Sequence, residues 1–206
     1  MIGIVDYGVG NLASVRNALD YLGIENILVS TPSQFDQVQR LILPGVGAFG
    51  QAMEQLNSTG MAEALKGYAD SGRPLLGICL GMQLLLSSSS EMGNHAGLNL
   101  VEGTVLRLAE NDSSLRVPNI GWCRVRRNGE SRLLHGIEDE NLCFYFVHSY
   151  YCRLKSEIHA VGMLDYGTEC HVVFESDNLY GCQFHPEKSQ KSGLSLLKNF
   201  AGIPCR

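Results

Sequence analysis

The first eighty residues alternate between short apolar runs and amphipathic stretches. Ile2 to Asp6 reads as a buried strand, and Leu12, Val15, Leu19 and Leu22 then recur at helical spacing until Gly23 ends the helix. Asn26 to Ser30 and Arg40 to Leu43 read as two further strands, the second stopping at Pro44-Gly45-Val46-Gly47. Helical stretches start at about Ala48 and about Met61, and Pro74 to Ile78 is a fourth strand. Strands and helices alternating at these lengths predict a parallel sheet covered by helices on both faces, in which ligands gather at the carboxyl ends of the strands. Gly-rich turns occupy three of those ends.

The second half carries a different pattern. Between about Gly97 and Gln183 the apolar pieces are short and rich in β-formers: Val101 to Leu108, Trp122 to Arg126, Cys143 to Val147, His159 to Leu164, His171 to Phe174 and Leu179 to Phe184. They predict an antiparallel β extension joined to the parallel core. A last helix covers about Ser192 to Phe200, there is no internal repeat, and Ser87 to Ser90 is too short for a disordered linker.

Composition narrows the class. A chain of 206 residues, 45% hydrophobic, can bury one sizeable core and is expected to form a single domain over 1–206. The net charge of −5, without a long Lys or Arg run, argues against nucleic acid or an anionic membrane as the main partner. No signal-peptide core or membrane-length apolar run is present, so a cytoplasmic protein is expected. Seven cysteines without a Cys-x-x-Cys pair fit neither a disulfide framework nor a zinc site; most are expected to be packed, reduced thiols, and no metal or cofactor is implied.

The candidate chemistry sits where the fourth strand ends. Gly77-Ile78-Cys79-Leu80-Gly81 follows an apolar strand and leads into an apolar helical run through Leu86, the layout of a nucleophile elbow with a thiol in place of the usual hydroxyl. A following helix N-terminus would favour thiolate and help stabilise an oxyanion. The plainer alternative is that Cys79 is a small buried hydrophobe. A thiol nucleophile needs a base and the base needs an orienting group. His185-Pro186-Glu187 offers both within three residues at the end of an extended segment, with Glu187 placed to hold the second imidazole nitrogen. His95, His135, His159 and His171 show no partner pattern and are read as structural.

Together these motifs resemble the class I glutamine amidotransferases, which have a flavodoxin-like fold and hydrolyse glutamine to glutamate and ammonia. Asp6-Tyr7-Gly8-Val9-Gly10-Asn11-Leu12, Leu43-Pro44-Gly45-Val46-Gly47-Ala48-Phe49, Pro118-Asn119-Ile120-Gly121-Trp122, Phe146-Val147-His148-Ser149-Tyr150-Tyr151 and His185 through Gln190 are similar, more narrowly, to the glutaminase subunits of imidazole glycerol phosphate synthases. That resemblance implies a heterodimer with a (β/α)8-barrel cyclase. The cyclase uses the ammonia to form imidazole glycerol phosphate and an aminoimidazole carboxamide nucleotide in histidine biosynthesis.

The resemblance also implies roles. Cys79, His185 and Glu187 are the triad; Leu80 N–H and the loop Gly45-Val46-Gly47 frame the oxyanion; Gln83 bonds the amino-acid end of glutamine; His148, Ser149 and Tyr150 frame the pocket. Asn11, Asn119, Gly121, Trp122 and Lys188 correspond to positions near the cyclase, where an exposed Trp with a Lys suits an anchor and an orienting charge. Against each stands a plainer alternative: Gly45 and Gly47 as a strand end, Gln83 as an exposed helix residue, and His148 and Trp122 as core. The sequence departs from the usual pattern at Cys123, where Asn is common, and at Ile120, where Met is common, both on the presumed docking face. Four other readings share these motifs. They are a paralogous glutaminase feeding a synthetase that installs an amidino group on a surface sugar, the glutaminase of a pyridoxal phosphate synthase complex, which the Lys188-Ser189-Gln190 continuation disfavours, a catalytically silent binding subunit, and an isolated peptidase or esterase.

Overall fold

The computed structural model describes residues 1–109 and 114–205. Its first half follows the apolar pattern closely: β1 (Ile2–Val5), α1 (Leu12–Tyr21), β2 (Asn26–Val29), β3 (Arg40–Gly45), α2 (Phe49–Ser58), α3 (Met61–Asp70) and β4 (Leu75–Cys79). A 3-10 turn at Pro32–Gln37 was not foreseen; Thr31 and Gln34 close it as a capping box. The helix after Cys79 is shorter than expected. α4 (Leu80–Leu84) has five residues, because the chain turns at Leu85 into β5 (Leu86–Ser89), which takes up the serine run.

The remaining strands are β6 (His95–Ala96), β7 (Val101–Arg107), β8 (Asn119–Arg124), β9 (Arg126–Arg127), β10 (Cys143–His148), β11 (Tyr150–Leu154), β12 (Ala160–Asp165), β13 (Glu169–Ser176) and β14 (Leu179–Cys182), closed by α5 (Gln190–Gly202). The main sheet runs β2-β1-β3-β4-β14-β13-β11-β7-β5-β6, with β12 and β9 branching from β13. Strands β2 to β14 in that order are parallel, and β13, β11 and β7 continue antiparallel. The extension departs from expectation in two ways: β5 pairs parallel with β7, and β8 and β10 form a two-stranded antiparallel sheet of their own.

Alternation along the central strands splits the core into two layers. Leu41, Leu43 and Leu75 face a cluster with α2, α3 and α4, whereas Ile42, Leu76 and Ile78 face α1 and α5. Leu19, Leu65 and Leu196 have no exposed surface, and each such side chain contributes roughly 1.5–3 kcal/mol of burial free energy. This double layer is what positions the strand ends. Gly45 lies opposite Cys79 and Cys182 opposite Ile78, so Gly45, Cys79 and the residue after β14 end side by side. Among the described residues no helix is long and apolar enough to cross a membrane.

Candidate active site

Cys79 ends β4 with φ 55° and ψ −112°, a backbone conformation that costs a non-glycine residue about 1–3 kcal/mol. Its glycine neighbours make the turn possible. A Cβ on Gly77 would lie 2.6 Å from the carbonyl oxygen of Gly81, and one on Gly81 only 1.8 Å from that of Leu43. The elbow therefore packs directly on the end of β3. At five residues, α4 has little macrodipole to offer the sulfur, contrary to the expectation from the long apolar run.

His185 follows β14, three residues beyond its end. Phe184 stacks on Phe144 of β10 at 3.9 Å between ring centroids. His185 N donates to Tyr145 O at 3.0 Å, and Ser189 Oγ donates to His185 O at 2.6 Å. A 3-10 turn at Pro186–Lys188 then folds Glu187 back, so that His185 Nδ1 lies 2.8 Å from Glu187 Oε1 with 3% and 1% of the two side chains exposed. Burial disfavours the imidazolium, but Cys79 and Glu187 more than offset it and His185 is pushed up to about 9. Its Nε2 is buried and has no hydrogen-bond partner among the described residues.

Cys79 and His185 line one cavity of about 350 Å³. Val46, Gly47, Leu80, Gln83, His148, Ser149 and Tyr150 share its walls with them. Gly45 does not: it packs behind the elbow, where a Cβ would lie 2.7 Å from the Tyr7 hydroxyl. That hydroxyl donates to Pro44 O at 3.1 Å. Gln83 is 5% exposed, so it is not a solvent-facing helix residue; its Nε2 donates to Tyr150 O at 3.0 Å and to Gln183 Oε1 at 2.9 Å. With both amide hydrogens committed, what Gln83 can still offer a ligand is its carbonyl oxygen.

His148 is buried, and burial lowers it to about 4, so the ring is neutral at pH 7. Nδ1 donates to Tyr150 O at 2.8 Å, and Nε2 accepts from Asn119 Nδ2 at 3.3 Å. Both nitrogens are occupied, so His148 shapes the cavity wall without a free polar atom for a ligand. The reading of Asn119 as a docking residue changes accordingly: it is 4% exposed and serves His148. Cys123 also turns inward, its thiol 3.6 Å from Asn119 Oδ1. The opposite face of β8 is exposed, with Ile120 61% and Trp122 49% accessible, so Trp122 is not core; its ring meets Tyr145 edge-on. Gly121 lies between them at φ 145°. Lys188 is exposed, whereas Asn11 is half-buried and borders a narrow crevice behind His185 and Glu187.

Two polar residues at the site escaped the sequence, as did Pro118 and Val147, which add apolar wall. Glu91 lines the cavity with its Oε2 held 2.7 Å from Phe49 N at the start of α2, a favourable place for a carboxylate, and nothing around it in the sequence marks it. Gln183 is fully buried, with Nε2 3.8 Å from Cys79 Sγ. An amide inside the apolar run Leu179 to Phe184 was the available signal.

Of the other histidines, His171 accepts from Leu154 N at 3.0 Å and His95 packs against Phe49, both structural contacts. The cysteines are free: Cys152, Cys170 and Cys182 are buried, but Cys205 is exposed rather than packed. Among the described residues no group of three or more His, Cys, Asp or Glu side chains could hold a metal ion.

Residues 3–202 match the family model for class I glutamine amidotransferases. The chain belongs to this family. Among its relatives named imidazole glycerol phosphate synthase subunit HisH, one from Sulfurimonas denitrificans is 46% identical over 202 residues, 97% of each chain. Another, from Wolinella succinogenes, is 48% identical over 208 residues, 98% of this chain and 100% of that one. A solved glutamine amidotransferase structure superposes with TM-score 0.74 at 20% identity, covering 98% of this chain and 99% of the other. PurLQS from Thermotoga maritima gives 0.72 at 19%, covering 97% and 96%. These two likenesses bear on the fold alone: both structures share the mixed sheet with its helical layers.

Proposed function

We propose that this class I glutamine amidotransferase is the glutaminase subunit of an imidazole glycerol phosphate synthase, a single functional unit acting in the cytoplasm. It hydrolyses glutamine to glutamate and ammonia and passes the ammonia to a cyclase subunit that closes an imidazole ring in histidine biosynthesis. Near-full-length relatives at 46% and 48% identity support the partner and pathway. The observation that carries the chemistry is the buried His185–Glu187 pair, whose free Nε2 shares a cavity with the strained Cys79.

In this reading the Cys79 thiol gives its proton to His185 Nε2, and the sulfur attacks the side-chain amide carbon of glutamine. The oxyanion meets the backbone N–H of Leu80, the first residue of α4 and so without an intrahelical acceptor, and the backbone of Val46 and Gly47. Each such donor is worth about 3 kcal/mol of barrier. His185 then protonates the departing nitrogen, leaving a thioester. Neutral His185 next takes a proton from water as the water oxygen attacks the thioester, and returns it to sulfur as glutamate leaves. Glu187 holds the imidazole in the required tautomer and stabilises its cation.

The cavity also sorts the ends of the substrate. Glu91 and the carbonyl oxygen of Gln83 are both acceptors, so they suit the α-ammonium group of glutamine, while Ser149 and Tyr150 close the wall on the other side. The outward face of β8, with Ile120 and Trp122, and the nearby Lys188 are proposed to receive the cyclase.

Cys79→Ala tests the reading in the complex with the cyclase. Glutamine-dependent ammonia release should fall by roughly a thousandfold or more, while added ammonia still supports ring closure. A variant that keeps full glutaminase turnover would overturn the triad. Loss of the ammonia-supported reaction as well would separate the chain from this partner.

A further inference from the structure

The Cys79 sulfur has a buried neighbour for which the reaction above has no role. Gln183 sits one residue beyond β14, level with Cys79, and has no exposed surface. An amide can face sulfur with either end, and the ends act oppositely: N–H stabilises a thiolate, a carbonyl oxygen repels it. The direction is decided two hydrogen bonds away. Tyr150 O is a backbone carbonyl and can only accept, so Gln83 turns its NH2 group toward it at 3.0 Å. The second hydrogen of that NH2 group goes to Gln183 at 2.9 Å and must find the carbonyl oxygen there. Gln183 is left with its own NH2 group toward Cys79 Sγ, 3.8 Å away. His148 keeps the arrangement in place by donating to the same Tyr150 carbonyl at 2.8 Å.

We propose that Gln183 is a positioning residue for the nucleophile, an N–H donor that favours the anionic form of the Cys79 sulfur, with its direction set by the Tyr150 carbonyl through Gln83. The inference rests on the reading of Cys79 as nucleophile. It supplies what the five-residue α4 is too short to give, a fixed dipole pointing its positive end at sulfur. It also carries a cost, because a stabilised thiolate is a weaker nucleophile, with reactivity falling by about 0.4–0.5 log units for each unit by which the thiol pKa is lowered.

That balance gives a signature that a merely structural residue would not produce. The test is carboxamidomethylation of Cys79 by iodoacetamide as a function of pH, followed on the Cys79 peptide by mass spectrometry, with Cys79→Ala as the blank. In Gln183→Met, which keeps chain length and removes the donor, the midpoint, which belongs to Cys79 and His185 together, should move up by about one pH unit. The rate at pH 7 should fall roughly threefold, while the plateau at high pH rises roughly threefold. Gln83→Met leaves Gln183 in place but removes the hydrogen that fixes its direction, and should move the profile the same way by less.

A Gln183→Met profile superimposed on the parent's overturns the proposal; if that variant does not fold, an unchanged profile in Gln83→Met does so. A lower plateau without a shifted midpoint also overturns it, since that marks lost access rather than lost stabilisation. Turnover of glutamine by Cys79→Ala is a separate failure, which would remove the nucleophile reading itself.

Discussion

The cavity has two walls made by different means. The wall at the ends of β3 and β4 is backbone packed against backbone: Gly81 meets Leu43, and Cys79 is bent into a conformation that side chains rarely adopt. The wall from β8, β10 and the segment after β14, which Gln83 of α4 joins, is made of polar side chains paired almost one to one, Asn119 with His148, Gln83 with Gln183, His185 with Glu187. The first tolerates no added atom, and the second no lost partner. The proposed reaction would take its geometry from one and its charge from the other.

The largest effect that can break this contrast is on the backbone wall. Gly81→Ala sets a methyl group 1.8 Å from a carbonyl oxygen, a clash with backbone that no rotamer change relieves. A loss of more than about 3 kcal/mol in urea unfolding, or no soluble protein, is expected. A variant within about 1 kcal/mol of the parent would show that this wall yields after all.

The polar wall should instead reveal itself through pH. His185, raised to about 9 in the folded chain against 6.5 unfolded, contributes stability that is complete below pH 6.5 and disappears as pH rises toward 9. His148, lowered to about 4, contributes stability that is complete above pH 6.5 and is lost as pH falls toward 4. Each limb is worth about 3 kcal/mol at most. Urea unfolding from pH 4 to pH 10 should show His148→Gln flattening the acid limb and His185→Gln the alkaline limb. The reverse assignment, or no change in either slope, would defeat the account of how these rings are held.

The smallest effect on stability, and the sharpest division within one strand, belongs to β8. Trp122→Ala removes a half-exposed ring, so stability should change by about 0.5 kcal/mol or less, while affinity for the cyclase falls by about 2 kcal/mol, or about thirtyfold. Titration calorimetry with the cyclase checks it; unchanged affinity would move the docking face elsewhere.

The parallel half was legible in the sequence because its strands are buried on both faces and read as continuous apolar runs closed by glycines. The other half was less so. β11 begins directly after β10 with no turn residue to separate it except Ser149, and the serines of β5 carry no apolar signal of their strand. Cys79, His185 and Glu187, the proposed triad, could be named from spacing, since each follows a recognisable strand end. Glu91 could not, because it enters the cavity from a turn far from any motif. Asn119 looked like a surface residue for a similar reason: alternation along β8 was invisible until its pairing with β10 fixed which face points inward.

That small β8–β10 sheet has a mechanical consequence. It lies outside the main sheet and is fastened to the segment after β14 through separate bonds, such as His185 N to Tyr145 O and Tyr145 N to Ser189 Oγ at 2.9 Å, rather than through a continuous ladder. A ribbon fastened at points yields under load more readily than a strand sewn along its length. The cavity is thus stiffer on the side of the sulfur than on the side of the histidines, and a push on the Trp122 face would be spent on His185 before it reached Cys79.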